Sequence, residues 1–467
     1  MTGNFLNLGY NNKNIRMIKM IRTRLAAMSF IEFAVWGSYL ISLGNFLSNV
    51  GLEKEIYWFY TVQGIVSIFM PAIIGIIADK WIQAQKMLSI CHLIAGLSMG
   101  AAGWYSLAHA SDVEFGPLFV LYTVSVAFFM PTIGLSNSVA YSALSKAGLD
   151  TIKSFPPIRV LGTVGFIVAM LMVNFIHING ESMQTTCYQL FLSGAFSLVM
   201  VVYSLTMPEC PINKTKTAGG IVEALGLKAF ALFKEKRMAI FFIFSFLLGV
   251  SLQITNSYGN SFISSFSKVE EFAHSWGALN ANALISLSQM SETLCILLIP
   301  VCLKKFGIKN VMLMSMFAWV FRFGFFGLGN PEGGVALFVA SMIVYGVAFD
   351  FFNVSGSLYV DTQTDPSMRS SAQGLFMLMT NGLGATAGTL CAGAIVNHFV
   401  FSHENPAAQI DGWKISWYCF AGFALVVAIA FMFIFKEDKK KNEVSTKGDD
   451  IFENSDPGGL VIENEKV

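Results

Sequence analysis

The sequence predicts an all-α membrane protein with twelve transmembrane helices arranged as two six-helix bundles. Three observations support this prediction. The 467 residues are 54% hydrophobic and only 13% charged, whereas a soluble domain would be about 25% charged. Apolar runs of about 20 residues, long enough to span a bilayer, recur along nearly the whole chain. Lysine and arginine collect on alternate connections between these runs, which is the pattern that orients membrane proteins.

The apolar runs can be placed one by one. They cover residues 25–49, 56–78, 86–108, 116–144, 156–177, 186–207, 238–265, 276–303, 309–328, 334–360, 370–399 and 413–435. The longest polar interruption, 208–237, follows the sixth run. We therefore expect six helices, a linker and six more helices.

These boundaries predict five parts of the chain. They are a cytoplasmic N-terminal arm (1–24), a first bundle (25–207), a cytoplasmic linker (208–237), a second bundle (238–435) and a cytoplasmic tail (436–467). The tail is charged and rich in Gly and Asn, and it shows no apolar periodicity, so we expect it to be disordered. No cleavable signal is evident, because the polar arm leads directly into a full-length apolar run.

The distribution of basic residues predicts the orientation in the membrane. The arm, the even-numbered connections and the tail hold most of the Lys and Arg, whereas the odd-numbered connections hold only Lys54, Lys268 and Lys414. Positive charge favours the cytoplasmic side. We therefore expect a multi-pass membrane protein with both termini in the cytoplasm. The formal net charge of +1 gives no indication of a nucleic-acid partner.

Five ionisable side chains lie inside the predicted helices: Glu32, Arg159, Glu292, Arg322 and Asp350. Each costs roughly 2.5–3.5 kcal/mol in the middle of a bilayer, so such residues usually line a cavity, pair with each other or carry ions. We expect Arg322 to form a structural ion pair with Asp350, although Asp350 is also a candidate proton site. Glu32 is expected either in a cavity or at the inner interface.

Polar and aromatic residues repeat along single faces of four predicted helices. These faces hold Arg159, Thr163 and Phe166 on the fifth helix, Gln253, Asn256 and Asn260 on the seventh, Gln289 and Glu292 on the eighth, and Tyr345 and Phe349 on the tenth. Carboxamides donate and accept hydrogen bonds in pairs, as base edges and sugar diols require. Each face also has a structural explanation, such as a snorkelling Arg, hydrogen bonds between helices or aromatic packing.

Other classes of site leave no pattern in the chain. The seven Cys and six His show no metal or disulfide spacing, and no Ser/His/Asp set, Walker loop or dinucleotide fingerprint appears. We therefore expect no metal, no cofactor and no enzymatic activity, and an ATP-driven pump is not indicated.

The six-plus-six layout with a basic middle connection resembles the major facilitator transporters, in which two bundles rock around a central site. The run Gly75-Ile-Ile-Ala-Asp79-Lys80 follows the second helix, where that superfamily carries a Gly-x-x-x-Asp-Arg/Lys turn. Trp81 stands where the usual pattern has Gly. A simple helix C-cap explains the same residues.

Several long strings closely resemble the nucleoside:proton symporter family, the bacterial nucleoside permeases of that superfamily. They are FPPIRVLGTVGFI (155–167), FKEKRMAIFFIFSFLLG (233–249), LQITNSYGN (252–260), SQMSETLCIL (288–297), SMIVYGVAFDFFNVSGS (341–357) and AQGLFMLMTNG (372–382). The likeness extends over about residues 28 to 435.

The resemblance implies import of purine and/or pyrimidine nucleosides by proton symport through alternating access. It implies substrate contacts at Arg159, Thr163, Phe166, Gln253, Asn256, Gln289, Glu292, Tyr345 and Phe349. Glu292, Asp350 and Glu32 are the candidates for proton coupling. Glu32 departs from the family, since close relatives are expected to carry an uncharged amide there. We expect the monomer, in the lipid bilayer, to be the functional unit. A facilitative carrier, a carrier of another polar solute such as a sugar, and a non-transporting receptor remain alternatives.

Overall fold

The structure, a computed structural model, describes residues 3–110, 112–212, 227–365 and 368–436. In these ranges the chain is almost entirely helical, as the apolar runs predict. The predicted tail from 437 onwards and residues 213–226 of the predicted linker lie outside the described residues.

The first bundle contains helices α1 to α6. They are α1 (Gly3–Gly37, continued after a turn by Leu43–Asn49), α2 (Ile56–Lys80), α3 (Ala84–Ala108), α4 (Phe115–Lys146), α5 (Thr151–Phe175) and α6 (Tyr188–Leu205). Between α5 and α6 a small antiparallel hairpin pairs β1 (His177–Ile178) with β2 (Glu181–Ser182). Short 3₁₀ helices cover Glu53–Glu55 and Met183–Thr185.

The second bundle contains helices α7 to α12. They are α7 (Lys236–Leu252 and Ile254–Ser265), α8 (Ala281–Cys295, extended by Ile296–Leu298), α9 (within Ile299–Leu328), α10 (Val335–Gln363), α11 (Arg369–Met377, Leu378–Gly384 and Ala385–Phe399) and α12 (Pro406–Ile434). Shorter helical turns cover Leu227–Lys234, Phe266–Lys268, Glu270–Phe272 and Trp276–Leu279.

Twelve membrane crossings follow from the described helices. By length and composition, ten helical segments of the described chain can cross a membrane. One of them, 281–328, has 48 residues, which is about 72 Å of helix and more than twice the hydrocarbon thickness. Gly307, with φ 75°, interrupts that segment, so it forms two crossings. The remaining crossing is α1, which packs along α5 and α6. The predicted twelve-helix fold is confirmed.

The outside of the helical assembly is apolar. Trp104, Leu297 and Phe433 are 67%, 71% and 69% exposed. Large hydrophobic side chains at this exposure would be unfavourable in water, whereas in a bilayer they face lipid tails. Polar side chains such as Gln63 and Ser245 are buried inside.

Several predicted boundaries differ from the structure: α5 begins at Thr151 instead of 156, α8 at Ala281 instead of 276 and α12 at Pro406 instead of 413. The first run differs most. α1 begins at Gly3 instead of residue 25, and the turn at 38–42 divides the predicted first run. Just before residue 25, α1 is bonded to the rest of the first bundle: Arg22 Nη2 donates to Ser154 Oγ at 3.0 Å, and Arg24 donates to the Thr206 carbonyl. The Gly75–Lys80 motif ends α2, where the Trp81 N–H donates to the Ile77 carbonyl at 3.0 Å.

Helices within each bundle approach closely at small residues. Gly165 of α5 lies against the Phe30 backbone of α1, and Gly388 of α11 lies against the Val250 backbone of α7. Neither position has room for a Cβ atom. This packing places α1, α5, α7 and α11 around the middle of the molecule.

Candidate functional site

A cavity of about 170 Å³ lies between the two bundles near the middle of the described helices. Its walls are formed by Phe33, Trp36, Leu40, Arg159, Thr163, Phe166, Leu252, Gln253, Asn256, Gln289, Glu292, Tyr345, Phe349 and Asn381. All nine residues predicted to contact substrate are among them. They come from helices far apart in sequence, so their convergence is a property of the fold.

Arg159 enters the cavity from α5 and is held against an aromatic wall. Its guanidinium carbon lies 3.8 Å from the centroid of the Phe33 ring, which is a cation–π contact. Trp36, one turn further along α1, meets Phe166 edge-on with centroids 6.2 Å apart. Glu292 lines the same cavity as Arg159. No carboxylate among the described residues forms a direct salt bridge with it, so its donors remain available.

Two carboxamides of α7 are linked before any solute enters. Gln253 lies at the point where α7 is interrupted, between Leu252 and Ile254. Asn256 Nδ2 donates to Gln253 Oε1 at 2.7 Å. The pair therefore presents the remaining amide donor atoms and the Asn256 carbonyl oxygen to the cavity in a fixed arrangement.

The opposite wall combines a carboxylate with stacked rings. Gln289 and Glu292 of α8 are partly buried and line the cavity. Tyr345 and Phe349 of α10 stack on each other, with centroids 5.6 Å apart and planes inclined by 22°. A flat apolar surface beside hydrogen-bonding groups suits a solute with one planar ring and several hydroxyls.

Arg322 lies behind this wall, and the predicted ion pair with Asp350 is not formed. Arg322 is 2% exposed, and its Nη1 donates to the Ser341 carbonyl at 2.9 Å and to Ser288 Oγ at 3.2 Å. Its guanidinium carbon is 4.2 Å from the centroid of the Tyr345 ring. The prediction fails because α9 turns Arg322 towards the ring and two serines of neighbouring helices.

Asp350 and Glu32 do not line the cavity. Asp350 is 5% exposed, and its Oδ2 has no hydrogen-bond partner. Glu32 is fully buried inside the first bundle, where its Oε2 lies 2.9 Å from His92 Nε2. The two alternatives predicted for Glu32, a cavity wall and the inner interface, are therefore both wrong. The spacing of residues predicted no role for His92, because the partner of this single His, Glu32, lies on a different helix.

Asn260, predicted on the same face as Gln253 and Asn256, belongs to a separate group of amides. This amide cluster consists of Asn45, Asn174, Gln184, Asn260, Asn280 and Asn282, and it lies at the end of the molecule that carries the odd-numbered connections. Asn174 Nδ2 donates to Asn280 Oδ1 at 2.8 Å, and Asn282 Nδ2 donates to the Met170 carbonyl at 2.9 Å. These bonds join α5 to the start of α8 and so hold the two bundles together.

Two further cavities flank the central one. A polar cavity of about 650 Å³ lies at the odd-connection end, with amide-cluster residues in its walls, and it has no wall residue in common with the central cavity. A cavity of about 690 Å³ between α10 and α11 shares Phe349 and Asn381 with the central cavity and extends to Asp361 and Gln373 near the other end. The central cavity thus shares wall residues with the cavity towards one end of the molecule and none with the cavity at the other end.

Five wall residues were not predicted: Phe33, Trp36, Leu40, Leu252 and Asn381. Phe33 and Trp36 are spaced i, i+3, which gave a weak signal in an aromatic-rich helix. Asn381 lies in the π-helical turn Leu378–Gly384 of α11, and such turns occur often at functional sites. In the described ranges, no three His, Cys, Asp or Glu side chains are grouped as metal ligands.

Sequence comparison matches residues 19–440 to the family described as "Nucleoside H⁺ symporter". Among characterised proteins, the xanthosine permease of Escherichia coli K12 is 46% identical over 422 residues, which is 89% of this chain and 96% of that protein. The nucleoside permease NupG of the same organism is 43% identical over 420 residues, again 89% and 96% of the two chains.

Comparison with solved structures is consistent with the sequence comparison. The crystal structure of the nucleoside transporter NupG superimposes with a TM-score of 0.80 at 42% identity, covering 90% of this chain and 100% of that one. A D-xylose–proton symporter superimposes with a TM-score of 0.63 at 15% identity, covering 91% of this chain and 99% of that one. The latter identity supports the shared major facilitator fold alone. The family match and the two permeases together establish that this chain belongs to the nucleoside H⁺ symporter family.

Proposed function

We propose that this protein imports nucleosides together with protons by alternating access of the central cavity. The observation that carries the proposal is the convergence of carboxamides, Arg159, Glu292 and stacked aromatic rings on one cavity between two bundles. A nucleoside requires both kinds of surface, since it joins a planar base to a sugar with hydroxyl groups. The names of the related permeases support the same substrate class.

In this proposal each wall of the cavity has its own part in binding. Glu292 accepts hydrogen bonds from ribose hydroxyls, and the Gln253–Asn256 pair reads part of the base edge. Phe166, Tyr345 and Phe349 pack on the base or the sugar ring. Arg159, Thr163 and Gln289 supply further polar contacts, with Arg159 offering its donors to carbonyl or hydroxyl oxygens.

Coupling requires a buried group that changes charge during the cycle. Glu292, Asp350 and Glu32 are the carboxylates proposed for this part, because a carboxylate loses its charge on protonation and then crosses the membrane interior at lower cost. Asp350 has an unpartnered Oδ2 and lies next to Phe349 of the cavity wall. Its protonation would therefore remove a buried charge one residue away from the cavity wall.

The proposal includes the orientation and the conformation. In the proposed orientation, the end of the molecule with the basic even-numbered connections lies in the cytoplasm, together with both termini and the 208–237 linker. The amide cluster then lies at the outer face of the inner membrane. The bundles as described are then bonded to each other at the outer end. We propose the monomer as the functional unit, since the cavity is complete within one chain.

Uptake of radiolabelled uridine into proteoliposomes tests the function. With the outside acidified, uridine should accumulate above its external concentration, and excess adenosine should compete. Uptake that persists when the pH gradient is collapsed would indicate a facilitative carrier. Uptake of a sugar but not of uridine would indicate another solute, and binding without any uptake would indicate a receptor.

A further inference from the structure

The Glu32–His92 pair is buried apart from the substrate cavity. Both side chains are 0% exposed, and Glu32 Oε2 lies 2.9 Å from His92 Nε2. Thr132 Oγ1 of α4 donates to the other carboxylate oxygen at 2.6 Å, and Ser197 of α6 lies 2.9 Å from His92 Nδ1. The pair is therefore enclosed by α1, α3, α4 and α6 of the first bundle.

The hydrogen bonds around His92 account for one proton on the pair. Ser197 Oγ donates its hydrogen to the His92 carbonyl at 3.2 Å. The lone pairs of Ser197 Oγ can therefore accept a hydrogen bond from the N–H at His92 Nδ1. Nε2 and the Glu32 carboxylate then face each other with lone pairs unless a proton lies between them. In this arrangement one proton is shared between the Glu32 carboxylate and His92 Nε2. The pair then has no net charge, whether the proton lies closer to Glu32 or to His92.

The same heavy atoms also accommodate the deprotonated pair. If the shared proton leaves, the remaining imidazole proton sits on Nε2 and donates to Glu32. The Ser197 hydroxyl then turns from the His92 carbonyl to Nδ1, and Thr132 continues to donate to Glu32. One proton is released to water, and the pair gains one negative charge. Proton exchange thus needs a hydroxyl rotation and a tautomer change, with no movement of a helix.

Charges around the pair are few, and one of them lies in the cavity. α3 contributes Cys91 beside His92, whereas the contacts from α4 and α6 are the neutral hydroxyls of Thr132 and Ser197. From α5, Arg159 is the cation on which the Glu32 charge acts. From the second bundle, Glu292 and Asp350 act on the same Arg159.

An aromatic layer separates the pair from the solute. His92 meets Phe129 with ring centroids 6.1 Å apart, and Phe129 meets Trp36 of the cavity wall at 6.2 Å. Phe33, the residue after Glu32, carries the Arg159 guanidinium on its ring. A change of charge at Glu32 therefore acts on Arg159 in the cavity without exposing the pair to the solute.

We propose that Glu32 and His92 form a proton-binding site in the first bundle, and that this site carries one proton with each nucleoside. The proposal rests on the proposed symport function. Protonation of the pair removes a negative charge near Arg159, and the guanidinium, whose donors are already available, then attracts electronegative groups of the solute more strongly. By linkage, a bound solute must favour the proton on the pair to the same extent.

Measurement of the proton-to-nucleoside ratio tests the site. Proteoliposomes containing labelled uridine at a known gradient are held at zero membrane potential, and the opposing pH difference is varied until net flux stops. At zero membrane potential, a tenfold uridine gradient is balanced by about one pH unit when one proton is coupled, and by about half a pH unit when two are coupled. Glu32→Gln retains the hydrogen bonds to His92 and Thr132 but cannot bind the proton, so the ratio should fall by one.

Ser89→Ala is the matched control. Ser89 lies one turn before His92 on α3 and donates to the Val201 carbonyl of α6 at 2.9 Å. This variant therefore removes a hydrogen bond between α3 and α6, the helices that His92 and Ser197 also join, and leaves Glu32 and His92 unchanged. Its ratio should equal that of the wild type. An unchanged ratio in Glu32→Gln would overturn the proposal, whereas a wild-type ratio of zero would overturn the symport function itself.

A second measurement covers the case in which Glu32→Gln does not fold. His92→Gln removes the imidazole and leaves the carboxylate, and proton uptake on uridine binding can be followed in weakly buffered detergent solution with an indicator dye. We expect the variant to take up one proton fewer per bound uridine than the wild type. Equal proton uptake in both proteins would contradict the site.

Discussion

At the scale of single residues, the proposed function divides the polar groups into those that would contact the solute and those that would act through them. Glu292, Gln253 and Asn256 present oxygen and nitrogen atoms to the cavity. Arg322 and Glu32 are buried behind its walls. Arg322 contacts the ring of Tyr345 in the wall, whereas Glu32 is paired with His92 inside the first bundle. Substitutions in the two groups should therefore differ in what they change.

Glu292→Gln preserves the shape of the side chain and removes its charge. Hydrogen bonds to a charged acceptor contribute about 1.5–3 kcal/mol, so uridine should bind roughly 10- to 150-fold more weakly. Accumulation driven by the pH gradient should persist at high uridine concentration. Equilibrium binding in detergent and uptake into proteoliposomes measure the two effects. Unchanged binding with lost accumulation would instead make Glu292 a coupling residue.

Asp350→Asn is the companion variant, because Asp350 lies outside the cavity wall. Uridine affinity should change by less than about threefold, since no contact with the solute is removed. The proton-to-uridine ratio then decides its part in coupling. Continued accumulation against a gradient at the wild-type ratio would show that Asp350 carries no coupled proton.

Arg322→Lys tests whether the buried guanidinium positions Tyr345. Lysine keeps the charge but loses the planar contact with the ring and the Nη1 group that donates to both Ser288 and Ser341. We expect uridine affinity to fall by roughly 5- to 30-fold, for a loss of about 1–2 kcal/mol. Arg369→Lys is the control, since its 3.5 Å pair with Asp361 is about half exposed and contributes little. Equal affinities in the two variants would contradict a positioning role.

At the scale of helices, the site depends on interruptions and on close packing. α7 breaks at Gln253, and α11 contains a π-helical turn at Leu378–Gly384 that includes Asn381. Both irregularities place an amide at the cavity, where the freed backbone groups lie inside protein instead of lipid. Close glycine contacts keep the neighbouring helices in position.

Gly165→Ala should weaken the contact between α5 and α1. A Cβ at this position would collide with the Phe30 backbone, which cannot move as a flexible side chain would. We expect a fall of several degrees in the melting temperature of the detergent-solubilised protein. Gly134→Ala on α4 is the matched control, because nothing lies within 4 Å of its Cβ position. It should be neutral or slightly stabilising, since Ala favours helix. Equal melting temperatures would contradict the close approach.

At the scale of the whole molecule, the amide cluster and the central cavity belong to one conformation of a two-bundle transporter. The bundles are bonded at the odd-connection end, and a cavity between α10 and α11 of the second bundle lies towards the other end. Alternating access requires these bonds to break and equivalent contacts to form at the opposite end. The strength of the amide cluster therefore sets how often the cavity opens outwards.

Asn174→Ala should shift the molecule towards the outward-open state. The variant removes the bond to Asn280 Oδ1 and leaves the Ala283 N–H, which donates to Asn174 Oδ1 at 3.1 Å, without its acceptor. Hydrogen exchange of the backbone in 170–184 and 276–284 should become faster. Asn49→Ala is the control, since Asn49 bonds Thr185 within the first bundle at 3.1 Å. Equal exchange in both variants would show that the cluster does not hold the bundles together.

Much of the architecture and of the substrate site could be predicted from the sequence. The twelve crossings follow from runs of apolar residues, and the faces carrying Arg159, Gln253, Glu292 and Tyr345 follow from helical spacing. Both properties are local, because hydropathy and the helical period depend on residues that are close in the chain. The family resemblance added the substrate class, which spacing alone could not supply.

The partners of buried groups were decided only by the tertiary structure. Spacing placed Arg322 and Asp350 in the membrane but could not exclude a bond between them, and it put Asn260 on the face of Gln253 although it joins the amide cluster. Glu32 acquired a proton-sharing partner only when α1 and α3 packed together. Sequence determines which groups a helix carries and on which face. The rotation and depth at which helices meet depend on packing between residues up to hundreds of positions apart, and that packing decides which groups bind each other.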